Sequence, residues 1–85
     1  EASTAPQALL FATFPVQVIM LDNFTPAAMK RVVPKIRALN REVEIEASGG
    51  VNLKTVGAIA RTGVDRISVG ALTHSAPACD ISLEL

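Results

Sequence analysis

The stretch VQVIMLDN (16–23) decides the fold: from Val16 to Leu21 only Gln17 is polar, and the run halts at Asp22-Asn23. So short and apolar a run is what a strand covered on both faces of a parallel sheet requires. Immediately beyond it, Thr25 has the hydroxyl of an N-cap and Pro26 suits the first helical position, where its missing N–H costs nothing. Met29, Val32, Val33 and Ile36 then recur at helical spacing, with Lys30, Arg31, Lys35 and Arg37 as the solvated face. Pro34 inside this pattern predicts a kink or a split.

The same alternation repeats on either side. Val43 to Ala47 reads as a second strand, Ser48-Gly49-Gly50 as its turn, and Asn52 as the cap of a helix through Leu53, Val56, Ile59 and Ala60 that Gly63 ends. Arg66 to Val69 reads as a third strand, leading through Gly70-Ala71 into a short helix around Leu72 to Ser75. Upstream, Thr4-Ala5-Pro6-Gln7 has capping-box spacing for a helix through Phe11, which puts Glu1 at the end of a preceding strand. Asp22 to Glu46 and Glu46 to Gly70 are equal steps of 24 residues, so the pattern predicts consecutive βα units of near-constant length. Such units build either a barrel or a doubly wound sheet.

Composition agrees with a buried α/β sheet: 49% of the 85 residues are hydrophobic, only 4% are aromatic, and neither Trp nor Tyr occurs. Eight basic residues balance eight acidic ones, so bulk charge gives no reason to expect nucleic acid or an anionic membrane as partner. No apolar run is long enough to cross a bilayer, and Glu1-Ala2-Ser3-Thr4 lacks the order of a signal peptide. The lone cysteine, Cys79, has no partner for an internal disulfide. These features predict a soluble cytoplasmic protein with Cys79 as a small buried hydrophobe. The absent initial Met, the ending Leu83-Glu84-Leu85 and the high apolar content predict a segment of something larger. A partial barrel would leave strand edges and inner-face side chains uncovered, and is expected to be marginal or self-associating alone.

In parallel α/β folds ligands collect at the carboxyl ends of the strands. The candidates there are Glu1, Asp22, Asn23, Glu46, Ser48, Gly49, Gly50, Gly70, Ala71, Thr73 and His74. Ser48-Gly49-Gly50, set between a strand and a helix, can bring backbone N–H groups to an anion while absent Cβ atoms allow close approach. Gly70-Ala71 repeats the arrangement one unit later, and His74 could donate to the same phosphate. Glu1, Asp22 and Glu46 would put carboxylates on one rim, suited to Mg²⁺ or to sugar hydroxyls. Each of these residues also has a plain structural use, in turn geometry or in loop hydrogen bonds. No spacing fits a Ser-His-Asp triad, a zinc site or a P-loop.

Taken together, VIMLDNFTP (18–26), IEASGGVNLKTV (45–56) and TGVDRISVGALTHSAPACDISLEL (62–85) resemble the C-terminal part of the quinolinate phosphoribosyltransferase family. Residues 1–15 fit more loosely: Glu1 matches the family's strand-end glutamate by its distance to Asp22, while Phe14-Pro15 stands where a Gly-containing turn is expected. The resemblance implies the C-terminal half of a TIM-like α/β barrel over residues 1–85, without the N-terminal domain and early barrel strands. It implies transfer of phosphoribose from 5-phosphoribosyl-1-pyrophosphate to quinolinate with loss of CO₂, giving nicotinate mononucleotide for NAD synthesis. Glu1 and Asp22 would then serve the ribose hydroxyls and Mg²⁺ as catalytic residues. Ser48, Gly49, Gly50, Gly70, Ala71 and His74 would hold the 5′-phosphate. The groups that grip quinolinate would lie outside this chain, and the parent enzyme is expected to be at least a dimer.

Other readings stay open: a phosphoribosyltransferase-fold relative with a different substrate, including the one found in molybdenum gene clusters and the nicotinate enzymes, or a non-enzymatic phosphate-binding half-barrel. On the enzyme reading, Gly49→Val or Gly70→Val is expected to act on KM for the phosphoribosyl donor and Asp22→Asn on kcat, so the two groups should separate kinetically.

Overall fold

A computed structural model of the chain describes residues 1–69 and 81–84. In chain order the elements are α1 (Ala5–Ala12), β1 (Val18–Asp22), α2 (Pro26–Leu39), β2 (Glu44–Ser48), α3 (Val56–Ala60), β3 (Arg66–Val69) and β4 (Ile81–Glu84). The strands form one sheet in the order β1-β2-β3-β4. β1, β2 and β3 are parallel neighbours. Ala2 bridges Leu21 in parallel on the free edge of β1, with its N–H donating to the Met20 carbonyl (2.7 Å) and its own carbonyl accepting from the Asp22 N–H (2.8 Å). The α/β class and the three βα-type strands are therefore as expected. The strand β4 is an addition that the pattern did not announce: it pairs antiparallel with β3, from Arg66↔Glu84 to Val69↔Ile81.

Alternation along the strands separates two faces. Ile19, Leu21, Ile45, Ala47 and Ile67 form one buried cluster with Met29, Val32, Val33 and Ile36 of α2, Ala8 and Ala12 of α1 and Ile59 of α3. Truncating one of the large members to Ala costs about 2–5 kcal/mol of stability. The opposite face carries Val18, Met20 and Asp22 of β1 and Glu44, Glu46 and Ser48 of β2, all exposed or half-buried. Both-face coverage of β1 was expected, but within the described residues only one face is covered, and Val18 is 44% exposed. Among the described residues, the helices pack on one side of this sheet.

Local signals set the helix starts. The Thr4 hydroxyl accepts from the Gln7 N–H (3.3 Å), and the Gln7 side chain accepts in turn from the Ser3 N–H (2.9 Å), a capping box displaced by one donor. The Thr25 hydroxyl accepts from the Ala28 N–H (3.1 Å), with Pro26 at the first helical position. Pro34 does not split α2, which runs unbroken from Pro26 to Leu39. Its ring is exposed, while Met29, Val32, Val33 and Ile36 are all buried on the sheet side. Each such burial is worth about 1.5–3 kcal/mol, which together exceeds the cost of about 3 kcal/mol for an interior proline.

Three further expectations are corrected. The helix from Asn52 shrinks to α3, because the Asn52 side chain accepts from the N–H groups of Lys54 (2.8 Å) and Thr55 (3.1 Å) and closes a turn first. Leu53 is consequently 84% exposed, and Ala60 lies outside the buried stripe. Arg37 does not belong to a solvated face with Lys30, Arg31 and Lys35: it bonds the carbonyls of Gly63 and Val43 and the carboxylate of Asp65. The step of 24 residues is not the structural repeat either. The register advances by 26 from Val18 to Glu44 but by 20 from Glu46 to Arg66, since α3 has five residues against fourteen in α2.

Candidate functional site

At the carboxyl ends of β1 and β2 two turns meet. Asp22 is level with Ser48 in the parallel ladder, and the chain reverses immediately after each of them. Asn23 adopts φ 59°, Gly49 φ 74° and Gly50 φ 66°, all in the left-handed region that glycine and asparagine tolerate best. The Asn23 N–H donates to the Ser48 carbonyl at 2.7 Å, extending the β1–β2 pairing one residue past the strand. So close is the contact that a Cβ on Gly49 would stand 2.8 Å from Asp22 Oδ1 and 3.1 Å from the Asn23 nitrogen. A Cβ on Gly50 would stand 2.9 Å from Asn23 Oδ1. The buried Val51 anchors the far end of the glycine turn.

The other candidates divide between rim and interior. The Ala2–Leu21 bridge places the exposed Glu1 level with Met20 on the open face. That is one side-chain row below Asp22, on the neighbouring strand, with Cα atoms about 8 Å apart by ladder geometry. Glu46 is also level with Met20, on the other side of β1, so it does not share the rim with Asp22 as expected. Ser48 occupies that level instead, because the register puts residue 48 rather than 46 opposite residue 22. Gly70, Ala71, Thr73, His74 and Cys79 lie outside the described residues. Of the named site residues, the structure thus brings together Asp22, Ser48, Gly49 and Gly50, sets Glu1 nearby, and adds Asn23. Asn23 was a strand-end candidate with no role attached; its signal was a residue tolerant of positive φ directly after a strand.

A cavity of about 660 Å³ lies at the opposite end of the sheet, among Val18, Asn40, Glu42, Glu44 and Arg66. There the Arg66 guanidinium pairs with Glu44 at 2.9 Å. The amino ends of such sheets serve stability and the carboxyl ends serve chemistry, so this hollow does not compete with the two turns as the candidate site. Among the described residues, no three His, Cys, Asp or Glu side chains converge into a metal site, and no helix is long and apolar enough to cross a membrane.

Chemically, the arrangement offers one carboxylate at the rim, those of Glu1 and Glu46 a row below, and an exposed glycine turn whose missing side chains let Asp22 and Asn23 pack directly against it. Carboxylates can accept hydrogen bonds from hydroxyl groups, and a glycine turn after a strand can offer backbone N–H groups to an anion.

Comparison with known proteins shows the family. A family model described as the C-terminal domain of quinolinate phosphoribosyl transferase matches residues 1–84. The chain is 42% identical over its whole length to a probable nicotinate-nucleotide pyrophosphorylase [carboxylating] of Archaeoglobus fulgidus, of which it covers 34%. It is 40% identical, again over its whole length, to the nicotinate-nucleotide pyrophosphorylase [carboxylating] of Rattus norvegicus, covering 28% of it. Over 79% of its length it is 44% identical to quinolinate phosphoribosyltransferase [decarboxylating] 1b of Nicotiana tabacum, covering 21% of that protein. The chain thus spans about a third or less of the relatives it matches. With a match that runs from Glu1 to Glu84 and takes in both strand-end turns, this chain belongs to the C-terminal domain family of quinolinate phosphoribosyl transferase.

Proposed function

We propose that the chain supplies the ribose- and 5′-phosphate-binding part of a quinolinate phosphoribosyltransferase. In this reaction the quinolinate ring nitrogen displaces pyrophosphate from C1 of 5-phosphoribosyl-1-pyrophosphate, and the adduct loses CO₂ to give nicotinate mononucleotide. The observation that carries the reading is the interlock of Asp22-Asn23 with Gly49-Gly50, which sets a carboxylate beside a glycine turn at the carboxyl end of a parallel sheet.

Each residue then has a task that follows from charge and shape. The bond to pyrophosphate weakens before the new bond forms, so positive charge develops on the ribose. A carboxylate fixed near it stabilises the transition state more than the ground state. Asp22 would do that and accept hydrogen bonds from the ribose hydroxyls, with Glu1 as the second acceptor. The Ser48-Gly49-Gly50 turn holds the 5′-phosphate, with Gly70, Ala71 and His74 as the companion set from the next unit. Held at both ends, the ribose presents C1 to the nucleophile without a search over orientations.

Mg²⁺ keeps most of its waters and binds through one or two carboxylates together with substrate phosphates. Asp22, with Glu1 a row below, would be the carboxylates for that mode. When bound the cation would neutralise the departing pyrophosphate. The groups that recognise the two quinolinate carboxylates would come from elsewhere in the intact protein.

The test is steady-state kinetics on the intact protein that carries this segment, following quinolinate-dependent formation of nicotinate mononucleotide. Asp22→Asn keeps the shape and removes the charge, and should lower kcat on the order of 10²-fold, about 3 kcal/mol. A wild-type protein that binds the phosphoribosyl donor but forms no nucleotide would point to the non-enzymatic phosphate-binding reading. An Asp22→Asn protein with unchanged kcat would remove Asp22 from the reaction centre.

A further inference from the structure

We infer that Asn23 is a positioning residue whose left-handed backbone fastens the Asp22 carboxylate to the Ser48-Gly49-Gly50 turn, so that the ribose and phosphate ends of the site are set by one joint. This deepens the functional reading above and rests on it.

The joint has three parts. The Asn23 N–H donates to the Ser48 carbonyl at 2.7 Å, one residue past the β1–β2 ladder, and from that bond the chain turns through φ 59° toward the start of α2. The Asn23 nitrogen lies 3.1 Å and its Cα 3.4 Å from the place a Gly49 Cβ would occupy. Asp22 Oδ1 lies at 2.8 Å of that place. Because α2 is held on the core by Met29, Val32, Val33 and Ile36, giving up φ > 0 at position 23 would rotate the chain about the Asn23 N–Cα bond and swing the Asn23 N–H and the Asp22 carboxylate, which lie on the far side of that bond, away from the glycine turn. The carboxylate and the glycine turn would lose their fixed separation, although neither Asp22 nor Gly49 had been changed. Asparagine accepts φ > 0 far more readily than alanine or a β-branched residue, and glycine more readily still. The demand at position 23 is therefore conformational, and Asn23 need not touch the substrate to meet it.

The experiment compares Asn23→Gly, Asn23→Ala and Asn23→Val in the intact protein, measuring kcat, KM for 5-phosphoribosyl-1-pyrophosphate, and Tm. Asn23→Gly keeps the backbone turn and the N–H, and should stay within about threefold of wild type in both constants. Asn23→Ala should lower kcat and raise KM together, for a loss in kcat/KM on the order of 10²-fold from displaced groups. Asn23→Val should do the same more strongly. If Asn23→Val fails to fold, the Gly and Ala pair still decides.

A merely structural role would lower Tm and the folded fraction but leave KM of the folded protein untouched, and that result overturns the inference. Equal losses in Asn23→Gly and Asn23→Ala would overturn it too, since the side chain and not the turn would then matter. Combining Asn23→Ala with Asp22→Asn should cost less than the sum of the two, because the first has already displaced the carboxylate that the second neutralises; full additivity counts against the joint. If the wild-type protein neither binds nor converts the donor, the functional reading itself is overturned, an outcome separate from any behaviour of the variants.

Discussion

At the carboxyl ends of β1 and β2, Asp22-Asn23 and Gly49-Gly50 meet through three left-handed residues and contacts too close for a side chain. At the amino ends, β2 and β3 are held by long side chains. The Arg37 guanidinium reaches from α2 to the Gly63 carbonyl (2.6 Å), the Val43 carbonyl (3.4 Å) and Asp65 (3.0 Å), while the Asp65 carboxylate also accepts from the Ile45 N–H (2.8 Å). One end spends conformational strain to keep polar groups close and uncovered, and the other satisfies its polar groups within the chain. This is the division expected when chemistry sits at one end of a parallel sheet and stability at the other. It also means that a substitution at either end should be recognisable by what it changes: constants of the reaction at the carboxyl ends, free energy of folding at the amino ends.

The largest effect should come from Gly49→Val. Considered by residue type alone, this change blocks a phosphate and acts on KM, leaving kcat to Asp22. The contact between the Gly49 Cβ position and Asp22 Oδ1 ties the two, so Gly49→Val should shift both constants, with a loss in kcat/KM on the order of 10²-fold or more. Steady-state kinetics in which KM alone rose would restore the separation and break the comparison at its functional end.

Asp65→Ala comes next and belongs to the other end. It leaves the Ile45 N–H and the Arg37 guanidinium short of an acceptor, which should cost about 1–3 kcal/mol of stability, toward the lower limit because the half-exposed pair admits water. Urea unfolding measures the cost, and kcat and KM of the folded protein should stay as in wild type. A changed KM would mean that the amino-end clamp reaches the site after all.

Thr25→Ala should cost about 1 kcal/mol by removing the acceptor for the Ala28 N–H at the start of α2. Although Thr25 follows Asn23 by only two residues, the change should appear in Tm and not in KM, which sharpens the boundary between cap and site. The smallest effect belongs to Glu44→Gln. The ion pair of Glu44 with Arg66 is half-exposed, so its loss should cost under about 0.5 kcal/mol and shrink further in high salt. Thermal unfolding at two salt concentrations checks it.

Much of this was legible from residue order. The strand run ending at Asp22-Asn23, the Thr25-Pro26 helix start, the Met29/Val32/Val33/Ile36 stripe and the turn at Ser48-Gly49-Gly50 are all local signals, carried by side chains within four residues of one another. Motif order in the same stretches sufficed to suggest the family. Where local patterns had to compete with packing or with each other, they misled. Pro34 announced a break that four buried neighbours override, and Leu53 announced a helical stripe that the Asn52 turn pre-empts. Arg37 was indistinguishable from Lys30, Arg31 and Lys35 until Asp65, 28 residues later in the chain, came beside it.

The sequence by itself determined the α/β class, the parallel strands β1 to β3, the Thr4 and Thr25 helix caps and the membership of Asp22, Ser48, Gly49 and Gly50 in a strand-end set, because each depends on neighbours along the chain. Only the tertiary structure decided which residues share a level. Equal spacing put Glu46 beside Asp22, but the ladder pairs Asp22 with Ser48 and sinks Glu46 and Glu1 one row lower. Register follows from how many residues each crossover consumes while its helix packs on the sheet, and α2 and α3 consume different numbers. For the same reason the meeting of Asn23 with Gly49 and Gly50, across 26 residues of chain, could appear only once the strands were laid side by side.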